Sequence, residues 1–230
     1  ALLAPWIVPY PEHVAGATDT AARFIAPGRE YWFGTNALGQ DMFSLVVAGS
    51  RVSLFSGLAV VAIAIVVGGM VGAVAGYFGG WLDEALMRLT DLLLTIPSLI
   101  LAMAVVAALG SGIGNMIIAI SITWWPAYAR LIRGEVMVKK EEQFVTAARA
   151  LGAGPGRILG RHILPNIVSP IIVQASFSFS IAVLVESALS FLGLGAQSPE
   201  MSWGTLLREA YLALYLSPWM IVFPSLAITL

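Results

Sequence analysis

The sequence predicts an all-α fold, a polytopic bundle of transmembrane helices, and three observations carry that prediction. Hydrophobic residues make up 59% of the 230, charged residues only 11%, and the mean hydropathy is +0.88. A soluble domain carries about 25% charged residues. Several apolar runs reach the roughly 20 residues that a helix needs to cross a bilayer. The short connections between these runs divide unequally in Lys and Arg, as the loops of an inserted bundle do.

The chain opens on "ALLAPWIVPY", which lacks the positive leading region of a signal peptide and reads as the end of a helix before Pro9. A mixed segment over about 10–52 follows. Complete spans are expected at about 53–77, 89–109, 113–131 and 167–192, and a further helix begins after Pro218. About six spans are thus touched, the terminal two incompletely, and the chain is read as part of a longer subunit. We treat 1–230 as a single transmembrane domain. It comprises an outer segment over about 10–52 and a helical core over 53–230, with a polar loop at about 132–166.

Orientation follows from the basic residues. Arg88, Arg130, Arg133, Lys139, Lys140, Arg149, Arg157 and Arg161 fall on one side, and Arg23, Arg29, Arg51 and Arg208 on the other. The richer side faces the cytoplasm, which places the 132–166 loop inside. Gly68, Gly72, Gly76 and Gly80 recur every fourth residue, a row that lets another helix approach closely. Pro97 and Pro126 should kink or interrupt their spans. Arg88 and Asp91, at i, i+3, are expected to pair locally, and Trp124 and Trp125 mark either an aromatic belt or a cavity wall.

Enzymatic chemistry finds no footing. There is no GxxxxGK[ST] phosphate loop, no HExxH and no second deep aspartate to partner Asp91. Cysteine is absent, and His13 and His162, the two histidines, stand far apart, so neither a thiol nucleophile nor a Cys/His metal cluster is expected. The net charge of −1 argues against nucleic acid. Glu186, in "IAVLVESALSFLG", is the one carboxylate placed well inside a span. It is a candidate pathway or gate residue, with a helix-packing hydrogen bond as the alternative.

The loop "EEQFVTAARALGAGPGRILGRHILPN" is the most structured feature outside the spans. As a helix, its first half sets Phe144, Ala147, Ala148 and Leu151 on one face, with Glu142, Thr146 and Arg149 opposite. Gly152, Gly154 and Pro155 end that helix and begin another. The apolar face is small and asks for an outside partner.

This loop resembles the EAA loop of permease subunits of bacterial ABC importers. Ala147-Ala148, Gly152 and Leu164-Pro165 stand at that pattern's spacing, while Thr146 replaces its usual Glu and His162 its usual Ile. Two further stretches resemble the dipeptide/oligopeptide/nickel branch, second permease type: "FGTNALGQDMFSLVVAGSRVSL", where Asn36 and Gln40 replace the usual Asp and Arg, and "ESALSFLGLGAQSPEMSWGTLL". "GYFGGWLDEALMRLTDLLLTIPSLIL" is similar to the inner turn of the wider family.

The resemblance implies a multi-pass subunit of the bacterial cytoplasmic membrane that carries peptides or a related solute, such as a nickel chelate or glutathione. It implies pairing with a second, homologous permease, two ABC ATPase subunits below, and an extracytoplasmic solute-binding protein above. ATP and Mg would be bound by the ATPases, so this chain itself needs no cofactor and is not an enzyme. Phe144, Ala147, Ala148, Leu151, Gly152, Leu164 and Pro165 would form the ATPase-coupling element, seated as a helix in a groove. The competing class, an ion- or proton-coupled carrier, predicts clustered intramembrane charges and inverted repeats. Only Glu186 lies deep, and no repeat is evident.

Overall fold

The structure is a computed structural model that describes residue 1, residues 3–197 and residues 200–229; Ser198 and Pro199, inside the last of the matched stretches, lie outside the described residues. Its regular elements are helices, apart from one isolated bridge between Thr35 and Asp41 among the described residues, and residues 15–41 are mostly turns around a single 3-10 turn at Thr20–Ala22. Single helical turns at Ala4–Ile7 and Pro11–Val14 precede the longer helices. Those we number α1 (Met42–Phe78), α2 (Gly80–Leu94), α3 (Ser98–Leu109), α4 (Ile113–Lys139), α5 (Gln143–Ala150), α6 (Val168–Phe191), α7 (Trp203–Leu212) and α8 (Trp219–Thr229).

Among the described residues two helices are long and apolar enough to cross a membrane, α1 and the continuous run Pro155–Phe191 that ends in α6. A third crossing is counted if α2 and α3 form one broken span. The expected span over 89–109 is bent by 88° between α2 and α3, in keeping with the kink or interruption expected at Pro97. Pro97 lies in the break, where it lacks an N–H to donate and pushes Ile96 away from helical geometry. Pro126, by contrast, sits buried inside α4 without ending it. α4 has the length of a span but carries Arg130, Arg133, Glu135 and Lys139 in its second half. α8 is a shorter apolar helix. The first span begins at Met42, well before the expected 53, because Asp41 caps it. Its Oδ2 accepts from the Ser44 backbone N–H at 2.8 Å and from the Ser44 hydroxyl at 2.6 Å.

The chain divides into two compact units, 1–58 with 103–117 and 181–230, and 59–102 with 118–180. In the first unit, α7 is tied to the start of α1. The Trp203 backbone N–H donates to Ser53 Oγ at 3.1 Å, and the Trp203 indole donates to the Val46 carbonyl at 2.9 Å. A reciprocal cap between Ser202 and Thr205 starts α7. Ahead of α1, a buried polar knot fixes the segment that precedes it. Asn36 Nδ2 donates to Gln40 Oε1 at 3.0 Å, and Gln40 Nε2 reaches the His13 and Ala17 carbonyls. Asn36 and Gln40 are the two positions where the resembled branch carries an acid and a base, so an amide pair stands in for that couple. On α7, burial pushes the Glu209 carboxyl above its ordinary value, and the Asn36 side chain offsets only part of that rise.

In the second unit, α1 and α4 meet backbone to backbone. A Cβ at Gly68 would collide with the Trp125 carbonyl, one at Gly72 with the Ala129 carbonyl, and one at Gly76 would lie 2.7 Å from the Arg133 carbonyl oxygen. The glycine row is therefore a packing seam inside this chain, and it stops at Gly76, since Gly80 faces open space at the head of α2. α4 is braced by ions as well. Arg133 forks onto Asp83 with contacts of 2.5 and 2.6 Å, side chains 30% and 14% exposed. Arg130 reaches Asp91 at 2.5 Å. The expected Arg88–Asp91 pair is thus absent, because Arg88 binds Glu84 at 2.7 Å instead and leaves Asp91 to α4. The i, i+4 reach suits those side chains better than i, i+3.

Three outcomes follow from this packing. Gly72→Leu should leave little folded protein, read as loss of the monodisperse peak in detergent, whereas Gly134→Ala on α4, with open space at its Cβ position, should be tolerated or stabilising by up to about 1 kcal/mol. Arg133→Met should lower stability by roughly 1.5–3 kcal/mol, with Asp83→Asn/Arg133→Met costing less than the sum of the single changes in a denaturation cycle. The raised Glu209 pKa means that the folded state resists ionisation. Its contribution is therefore whole below the ordinary value of 4.5 and lost as pH rises through the raised value. Glu209→Gln should accordingly flatten the fall in melting temperature above pH 4.5.

Candidate functional site

The polar loop is built from its own local signals. Lys140 ends the α4 segment by donating from Nζ to the Gly76 carbonyl at 3.1 Å. α5 then runs for eight residues and closes with a double clasp: the Ala153 N–H reaches the Ala148 carbonyl at 3.0 Å and the Gly152 N–H reaches the Arg149 carbonyl at 3.0 Å. Gly152 takes φ +81, the left-handed conformation that this motif requires and that a side chain resists. Gly154 and Pro155 start the next turn at once, as expected from the sequence. The chain continues as a π-helical stretch over Ile158–Ile163 and a 3-10 turn over Leu164–Ile167, and so enters α6.

The two short elements close on one apolar cluster in the second unit. Val145 and Ala148 from α5, Ile158, Ile163 and Ile167 from the following turns, Ala73 of α1, and Ile132 and Val136 of α4 are its buried members. Leu159, Leu164 and Ala153 pack against it. The loop is thus fastened directly to the two helices that the glycine seam joins.

This packing redistributes the residues assigned to the coupling face. Phe144, Ala147 and Leu151 do lie outward, Phe144 37% and Leu151 89% exposed, with Gly152 and Pro165 also exposed. Ala148 does not. It is buried beside Val145 in the loop's own cluster, and Leu164 is half-buried against the same cluster. The physical reason is that an eight-residue helix offers two stripes 100° apart. The Val145–Ala148 stripe wins because Ile158, Ile163 and Ile167 return to cover it. Val145 is the residue that the sequence reading missed; its i, i+3 spacing to Ala148 was the available signal. Glu142, a conceivable replacement for the missing glutamate at Thr146, is instead held by Lys139 at 3.4 Å.

Glu186 is fully buried in α6, in the first unit, and its carboxylate accepts from the Ser190 hydroxyl at 2.7 Å and the Ser187 hydroxyl at 3.4 Å. Two hydroxyls of its own helix meet it, so its contacts are those of a satisfied packing residue. Glu186 belongs to the first unit and the loop residues to the second. Among the described residues no group of three His, Cys, Asp or Glu is placed to hold a metal ion.

Comparison with known proteins matches residues 68–230 to the model of the binding-protein-dependent transport system inner membrane component family. The chain is 43% identical over 213 residues to the dipeptide transport system permease protein DppC of Alkalihalophilus pseudofirmus, covering 93% of this chain and 70% of that one. It is 44% identical over 230 residues to the glutathione transport system permease protein GsiD of Escherichia coli, covering all of this chain and 75% of that one. Among solved structures, the inward-facing MetNI methionine ABC transporter superposes with a TM-score of 0.64 at 20% identity, over 82% of this chain and 90% of that one, a likeness of fold. The apolar helices, the clasped polar loop and these matches lead to one conclusion: the chain belongs to the binding-protein-dependent transport system inner membrane component family, the permeases of ABC importers.

Proposed function

We propose that this permease forms half of the translocation pathway of an ATP-driven importer for peptides or a small peptide-like solute such as glutathione. The support for the solute class is the identity to a dipeptide permease and a glutathione permease at nearly full coverage of this chain. Two ATPase subunits supply the energy, a second permease completes the pathway, and a solute-binding protein delivers the cargo on the opposite side of the membrane from the loop.

The observation that carries the coupling role is the split personality of α5. Its inner stripe is bonded into the core of the second unit, while Phe144 and Leu151 stand out from it as uncovered apolar side chains with Ala147 between them. A helix held on one side and bare on the other suits a partner's groove. Movement of that partner would reach α1 and α4 through the cluster of Ala73, Ile132 and Val136, and α6 through Ile167. These 230 residues carry no GxxxxGK[ST] phosphate loop, so in this reading the ATP is bound by the partner subunits.

The 230 residues contain no cysteine, so single cysteines report cleanly. Crosslinks to a cysteine-bearing partner ATPase should form from positions 144, 147 and 151 and fail from Val145 and Ala148. Ala147→Trp should abolish ATP-driven uptake in vesicles while the protein remains folded. Ala148→Trp should instead destabilise the protein, as a large side chain forced into a filled core does. Crosslinks from 145 and 148 with none from 144 and 151 would show that the contact face has been assigned backwards.

A further inference from the structure

We infer that the pocket lined by Tyr10, Glu30, Trp32, Asp41 and Phe43 binds one organic cation, a primary ammonium or guanidinium group presented by a larger molecule. These residues lie in the first unit, in the segment before α1 and in the first turn of α1. Pro9 completes the lining, and the cavity measures about 150 Å³. Sites for whole small molecules begin at about 300 Å³, so this one has room for a single group on a short stem.

Asp41 supplies the first argument. It is 1% exposed, and its capping of α1 occupies only one carboxylate oxygen, Oδ2. Oδ1 is buried and finds no hydrogen-bond partner among the described residues. An oxygen held in this way has given up its hydration without compensation. A proton on Oδ1 would not cure this, since it would be a buried donor with the same want of a partner. A cation in the pocket supplies the missing opposite charge.

The walls select the kind of cation. Tyr10 stacks on His13 with ring centroids 5.1 Å apart, and Trp32 meets Phe43 edge to face at 5.0 Å, so the rings are held in place. Trp32 is nevertheless 60% exposed, which leaves its ring open to an incoming group. Such faces attract ammonium and guanidinium groups. Burial raises the Tyr10 hydroxyl above its ordinary value, and the charges that raise it further are all carboxylates, Glu30, Asp41 and Glu12 in that order. Among the described residues no basic side chain lines the pocket. The start of α1 contributes about half a positive charge, which the carboxylates of Asp41 and Glu30 outweigh. A metal ion is the poorer match, because no group of three His, Cys, Asp or Glu among the described residues is placed to hold one.

The source of the cation rests on the importer reading above, with the 10–52 segment on the side of the solute-binding protein, as the bias of basic residues implies. Two molecules carry such a group there: a peptide cargo, by its N-terminal ammonium, and the solute-binding protein, by a lysine or arginine side chain.

The test uses the assembled transporter in lipid nanodiscs, labelled with 5-fluorotryptophan, the Trp32 resonance being assigned by its loss in Trp32→Phe. Butylammonium and propylguanidinium chloride should each shift that resonance saturably, whereas butanol and sodium chloride at the same concentrations should not. Asp41→Asn should weaken butylammonium binding about tenfold or more, the effect of one lost interaction with a charged group. Glu30→Gln, at an exposed position, should weaken it several-fold and decides the matter if Asp41→Asn does not fold. A shift by alanylalanine but not by its N-acetyl form assigns the cation to the cargo. A shift by the cargo-free binding protein, reversed by butylammonium, assigns it to that protein. Equal shifts with butanol or with sodium chloride overturn the inference, as does butylammonium binding that is unchanged in folded Asp41→Asn and in Glu30→Gln. The titration needs neither ATP nor transport, so a protein that binds the cation but drives no ATP-dependent uptake strikes the importer reading alone.

Discussion

Lipid gives helices no hydrophobic reason to associate, so a membrane bundle depends on how closely its backbones can approach. In this permease that approach is set by Gly68, Gly72 and Gly76, whose missing side chains let α1 lie against the carbonyls of Trp125, Ala129 and Arg133. The rest of the second unit follows from that seam. It fixes the height of α4, and with it the reach of Arg133 to Asp83 and of Arg130 to Asp91. It places Ala73 beside Ile132 and Val136, the floor on which the loop's apolar residues gather. The loop is positioned by a contact that it does not itself make.

The energies rank in an order that a tally of interactions would hide. The exposed Arg130–Asp91 and Arg88–Glu84 pairs are worth at most about 1 kcal/mol each. Arg133–Asp83 is the stronger brace because it is forked, drier and made by a planar guanidinium. Packing outweighs both, since the glycine seam gathers dispersion contacts along three turns. The ions orient helices that the seam has already joined.

Much of this was legible in the sequence. Composition gave the class, the every-fourth glycine gave the seam, and the Gly152–Gly154–Pro155 punctuation gave a joint that the structure forms at those residues. Legibility failed where the answer depends on what returns to cover a surface. Nothing local says which stripe of an eight-residue helix faces inward, so Ala148 was set on the wrong side. Nothing local says whether a proline breaks its helix. Pro97 sits at an 88° bend, and Pro126 is buried within α4 without ending it. Asp91 found a cation 39 residues away, a pairing that only the tertiary fold reveals.

The amide pair Asn36–Gln40 has a consequence for how the two units answer to their surroundings. Its hydrogen bonds join neutral groups, and mobile ions do not screen them. The second unit is braced by guanidinium and carboxylate, whose attraction salt screens and acid removes. One end of α1 is thus anchored in a chemistry indifferent to ionic strength, while helices beside its other end are anchored in one that is not. Bracing is thus indifferent to salt where the amides lie and dependent on it where the charges do.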